Sequence, residues 1–78
     1  MKIGVRIMPR NEVLDSQGRA VERTLKQHGK EISQVRVGKF IELDIATSDK
    51  EVALKQAKDL AEFVLYNPLI ENYELEVL

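Results

Sequence analysis

The chain has no cysteine, no tryptophan and one histidine, and only two prolines and four glycines. The first absence removes disulfides and thiolate metal sites. A lone imidazole is poor material for a ligand set or a catalytic dyad. Charge of one sign is missing too: twelve Lys and Arg stand against thirteen Asp and Glu, for a formal net charge of -1. That balance lacks the positive excess with which proteins grip a phosphate backbone. Aromatics are 5% of the chain, too few for a base-stacking platform. No apolar run approaches the roughly 20 residues of a membrane span, and Met1 opens into a mixed segment rather than a signal peptide. The expected address is cytoplasmic, with no nucleic acid and no membrane as partner.

What is present is the composition of one small globular domain spanning residues 1–78, with 32% charged and 44% hydrophobic residues. A chain of this length buries only about 60 to 65% of its unfolded surface, and its core rarely supplies more than about 3 to 5 kcal/mol. Small domains usually add disulfides, a metal or a partner subunit. With the first two lacking raw material, a partner, identical or different, is the expected remedy.

Residues 2–8 alternate, with Ile3, Val5 and Ile7 on one face and Lys2, Gly4, Arg6 and Met8 on the other. Period 2 with β-branched residues predicts a half-buried strand, and Pro9 stops it. Asp15 or Ser16 can cap the next helix, whose apolar stripe is Leu14, Val21, Leu25 and His28. Glu22 and Lys26 stand in the favourable i,i+4 order, and Gly29 offers the left-handed residue that ends the helix. Val35 to Ala46 reads as one long middle strand bent near Gly38. Ser48 and Glu51 have capping-box spacing, which predicts Ser48 as the second cap. That helix would turn Ala53, Ala57, Leu60, Ala61 and Val64 inward with Leu54 and Leu65 flanking, and stop at Asn67-Pro68. Tyr73, Leu75 and Val77 form the apolar face of a last strand. The order β-α-β-α-β predicts an α+β fold: a two-layer sandwich with two helices on one face of a mainly antiparallel sheet, related to ferredoxin-like folds.

Catalytic constellations are not visible. His28 sits at a helix end with no nucleophile or acid spaced around it, which suits capping or packing. Glu42 and Asp44 share a strand face, but hard-cation sites usually take three or more oxygen ligands. Glu71, Glu74 and Glu76 make an acidic last strand, suited to guarding a sheet edge or to meeting a partner. The four glycines never assemble into a phosphate loop, and no serine has a His-Asp pair. Gly38-Lys39-Phe40-Ile41 shares its start with an RNA-binding strand signature, yet Glu42 and Leu43 occupy that motif's next aromatic positions. The unusual stretch is Arg36-Val37-Gly38-Lys39-Phe40. It is either a bent strand whose Lys snorkels to solvent, or an interface with Phe40 as aromatic anchor flanked by Arg36 and Lys39. The weak single-chain core favours the interface.

Three motifs in order resemble the PurS family, small subunits of multi-subunit phosphoribosylformylglycinamidine synthases. Residues 13–18, V-L-D-S-Q-G, resemble the family's V-L-D-P-Q-G, with Ser16 in place of Pro. Residues 35–43, V-R-V-G-K-F-I-E-L, match its V-R-x-G-K-x-I-E-L strand, and residues 67–74, N-P-L-I-E-N-Y-E, match its N-P-x-I-E-x-Y-E close. The resemblance implies a PurS-like domain in de novo purine synthesis with no catalytic residues, cofactor or metal of its own. ATP and Mg would belong to the synthetase partner. The chain would assemble with itself as a dimer or tetramer, bridge the glutaminase and synthetase subunits, and assist ammonia transfer. The proposed contact residues are Arg36 and Phe40 first, with Gly38 allowing the bend, then Lys39, Glu42, Tyr73 and Glu74.

A rival from another class is a ferredoxin-like or ACT-like regulatory module binding a small metabolite at a dimer interface. It shares the fold and the need to dimerise, and predicts a saturable ligand for the isolated protein. A tautomerase-like enzyme fits less well, because the chain opens Met1-Lys2 where such enzymes carry a proline base.

Overall fold

The alternating segment at the start becomes the middle of the sheet. A computed structural model describes residues 1–78, in the order β1 (Lys2–Pro9), α1 (Ser16–Gln27), β2 (Lys39–Asp44), α2 (Lys50–Leu60), a π-helical turn (Ala61–Leu65) and β3 (Glu71–Val77). The three strands lie in the order β2-β1-β3, antiparallel throughout. Ile7 pairs with Lys39 on one side and Tyr73 on the other; Arg6 pairs with Phe40 and Glu74. Ile3, Val5 and Ile7 are fully buried on one sheet face, as their period requires. The α+β class and the antiparallel sheet are as expected.

Helix α2 covers that face with Ala53, Ala57 and Ala61, all fully buried. Their spacing of four puts three methyl groups in one row, so the helix axis can approach the strands closely. Two linked clusters result: Ile3 with Ile45, Ala53 and Ala57, and Val5 with Ile7 and Ala61. Leu54 and Leu65 complete the packing, whereas Leu60 and Val64, expected inward, are 41% and 66% exposed. The helix is rolled toward Leu54, and the wider π turn carries Leu65 rather than Val64 back over the sheet. Its cap also differs. Asp49, not Ser48, accepts from the Glu51 and Val52 amides at 2.9 and 3.3 Å. A full negative charge at the positive helix end outdoes a hydroxyl.

Helix α1 departs from the two-layer expectation. Only Gly18 in it is buried, Leu14 and Val21 are 64% and 43% exposed, and the helix does not lie on the sheet. The molecule is drawn out to 48 × 25 × 14 Å with a radius of gyration of 15.7 Å, against about 11.5 Å for a compact chain of this length. Its ends hold α1 instead. Asp15 caps the start, and Gly29, at φ 76°, closes a Schellman motif in which Lys30 N–H bonds Leu25 and Gly29 N–H bonds Lys26. His28 is the C-cap residue, its backbone N–H shared between Thr24 and Leu25 carbonyls.

The long bent strand is shorter than expected. Only Lys39–Asp44 pairs in the sheet; residues 35–38 run alongside the start of α1 without strand partners. Their apolar alternation marks extended backbone, but the Val37 N–H is taken by the Asp15 carboxylate at 2.8 Å.

Candidate interaction surface

One face of the sheet has no helix over it. Lys2, Gly4 and Arg6 of β1 lie there between Phe40, Glu42 and Asp44 of β2 and Glu74 and Glu76 of β3. Phe40, 51% exposed, lays its ring across Gly4. A Cβ on Gly4 would fall 2.5 Å from a ring carbon, so the glycine is what lets the ring lie flat on the strand. Arg6 fastens the opposite edge, reaching Glu76 at 3.1 Å and Glu74 at 3.7 Å. Lys2 reaches Glu42 at 3.6 Å, and the Met1 amine lies 3.7 Å from Asp44. Four carboxylates against two side-chain cations leave this face acidic around one aromatic ring.

At the far end of the sheet the motif residues converge. Gly38 passes so close to β1 that a Cβ there would meet the Ile7 carbonyl at 2.3 Å and the Met8 sulfur at 2.4 Å. Arg36, half-buried, donates from its guanidinium to the Pro9 carbonyl. Asp15 holds this junction together: one carboxylate oxygen accepts from Gly18 N–H at 2.9 Å, the other from Val37 N–H. The Gly18 amide first and the Val37 amide second hold its carboxyl below the usual 3.8 against the opposing effect of desolvation, with the nearby Arg36 charge as the least of the causes. Gly18 has no room for a side chain, because a Cβ would lie 2.6 Å from the Val35 carbonyl. Two glycines of the resemblance motifs are therefore points of backbone contact.

The remaining candidates separate by face. Lys39 is exposed at the end of the covered face and pairs with Glu71 at 3.8 Å. Tyr73 lies within the covered layer beside Val5 and Ile7 and packs on Tyr66 with ring centroids 4.7 Å apart. Burial first, then the charge of Glu62, pushes its hydroxyl above the usual 10.0. Glu42 and Glu74 flank the outer face with Phe40, while Arg36 and Gly38 belong to the junction. Sequence reading missed Arg6 as the clamp on β3 and Asp15 as a staple between segments. The alternation placed Arg6 on the right face, and the motif contained Asp15 and Gly18, but no pattern in the chain shows that they reach Val35 and Val37.

No three His, Asp or Glu side chains converge closely enough to hold a metal ion, and no helix is long and apolar enough to cross a membrane.

The family described as PurS, phosphoribosylformylglycinamidine (FGAM) synthase, matches residues 2–78. This chain belongs to the PurS family. PurS is a subunit of FGAM synthase, an enzyme of purine biosynthesis. The PurS subunit of Bacillus subtilis is 38% identical over 77 residues, covering 97% of this chain and 90% of its own length. The crystal structure of PurS from Thermotoga maritima superposes with a TM-score of 0.92 at 33% identity, covering 99% of this chain and 90% of that one. A chain in the structure of PurLQS from the same organism superposes with a TM-score of 0.91, again at 33% identity, covering 99% and 95%. These two PurS chains thus share the fold of this one over nearly its whole length.

Proposed function

We propose that this chain is a non-catalytic subunit that assembles with itself and bridges the glutaminase and ATP-dependent synthetase subunits of FGAM synthase. The observation that carries this reading is the mismatch between core and surface. Seven apolar residues are buried, three of them alanine, while eleven large apolar residues are exposed. A domain so poorly closed suits one that finishes its packing against other chains. The PurLQS structure from Thermotoga maritima, which contains a chain of this fold, points the same way.

Phe40 is the proposed anchor, flanked by Glu42 and Glu74, so the matching partner patch is basic with an apolar pocket. Lys39 extends the contact past the sheet edge. Gly38, Arg36 and Tyr73 support it by fixing where β2 and β3 lie. The chain binds no cofactor in this reading; ATP and Mg are held by the synthetase, and the assembly works in the cytoplasm. Its contribution to chemistry is a sealed joint that keeps ammonia from bulk water on its way between active sites.

Reconstitution of the synthase with and without this chain tests the role. Omission should abolish glutamine-dependent synthesis while synthesis from added ammonia largely survives. Equal loss of both activities would place the chain in the synthetase chemistry instead.

A further inference from the structure

Beside the junction, a groove of about 480 Å³ runs between α1 and residues 34–36. Its volume falls within the range of small-molecule sites, and its lining is mostly polar. Four cations face it, Arg19, Arg23, Lys26 and Arg36, against the carboxylates of Asp15 and Glu22. Both carboxylates are already engaged. Asp15 is held by two backbone amides, and Glu22 lies 3.8 Å from Lys26. Arg36 is anchored through the Pro9 carbonyl, which fixes its guanidinium in place. Arg19 and Arg23 make no ion pair and no side-chain hydrogen bond in the chain. They stand at i and i+4, so two like charges share one helix face, an arrangement that by itself weakens a helix. The chain as a whole carries a net charge of -1, so this concentration of positive charge is local.

We propose that this groove binds a small phosphate-bearing anion, with Arg19 and Arg23 as the primary ligands and Arg36 as a fixed third. Planar guanidinium forks bond phosphate oxygens in pairs, and a bound dianion turns the repulsion between Arg19 and Arg23 into attraction. Asn11 and Gln34 on the rim supply neutral donors. The site lies within one chain and is independent of the bridging role.

Pyrophosphate titrated into the full chain, followed by amide NMR shifts and calorimetry, tests the proposal. Saturable shifts at Gly18, Arg19, Arg23 and Val35 are expected, weakening as NaCl rises from about 50 to about 200 mM. The doubly substituted chain R19Q/R23Q should keep its circular dichroism and melting temperature and bind about tenfold or more weakly. Glu22→Gln should bind more tightly, because it frees Lys26. Shifts that never saturate, or unchanged binding by R19Q/R23Q, would overturn the site. So would saturable binding of a hexaglutamate peptide without binding of pyrophosphate, which would assign the groove to an acidic protein segment.

Discussion

The two helices look alike in sequence and behave differently in the fold. Both carry an apolar stripe and a charged side, and α1 has the larger residues on its stripe, yet only α2 lies on the sheet. The difference is in size and attachment. Three alanines let α2 sit close over Ile3, Val5 and Ile7, and the chain enters and leaves it directly from β2 and toward β3. Helix α1 is fixed at its start by Asp15 and Gly18 and projects from there with Val21 half in solvent. Twelve residues are about the length at which an unsupported helix is marginal in water, so its caps matter more than its stripe. An apolar stripe states that a helix needs a neighbour; it does not say which one.

Substitutions that act on one helix and spare the other test this division, and the largest effect belongs to α2. Ala57→Leu forces a bulky side chain into a fully buried site against Ile3 and Ile45. It should destabilise the whole domain by up to about 3 kcal/mol in urea unfolding. A change below about 0.5 kcal/mol would mean α2 is held less closely than the alanine row indicates. Gly18→Val comes next. Its Cβ would press on the Val35 carbonyl, with a cost of about 1–2 kcal/mol that falls on α1 alone. Amide exchange should speed up across residues 16–27 while Val5 and Ala57 stay protected; equal loss in both would show that the helices unfold as one unit. Gly38→Val acts at the same junction from the other side. Because its Cβ would strike the Ile7 carbonyl of the central strand, the single chain should be weakened along with any assembly, and an intact dimer on gel filtration would contradict this.

How much was legible follows from what each pattern encodes. Alternation in residues 2–8, 39–44 and 71–77 reports strands with two unlike faces, and it placed Ile3, Val5, Ile7, Phe40 and Glu74 correctly. The same alternation over residues 35–38 overreached, because extended backbone and paired strand look identical until the partner of Val37 N–H is known. The Ser48 cap was off by one residue, since Asp49 beside it had the stronger acceptor. Leu60 was misplaced because α2 is rolled toward Leu54, and Val64 because the π turn breaks the helical period. At the candidate surface the outward Phe40 was readable, but the clamp of Arg6 on Glu74 and Glu76 required the β1–β3 register. Long-range pairing is what local patterns do not carry.

Smaller effects separate how α1 is held from what its stripe does. The Asp15 carboxyl titrates lower in the folded chain than unfolded, so its hold on α1 is complete above about pH 3.8 and is lost as pH falls through the lower folded value. Helical signal from α1 should therefore decline as pH falls below about 4, ahead of the sheet, and Asp15→Asn should weaken α1 at neutral pH and flatten that decline. Coincident acid loss of both helices would reject a local staple. The smallest change is expected at Val21→Ser on the exposed stripe, within about 0.5 kcal/mol for the single chain. Replacing two methyl groups by one hydroxyl costs little where water already reaches, so a larger loss points to a surface that covers Val21 in an assembly. Measuring the melting temperature of the variant over a wide range of protein concentration separates the two. An effect that grows with concentration means that α1, like α2, has an apolar neighbour, supplied by another chain; a concentration-independent loss would mean the stripe packs within the chain after all.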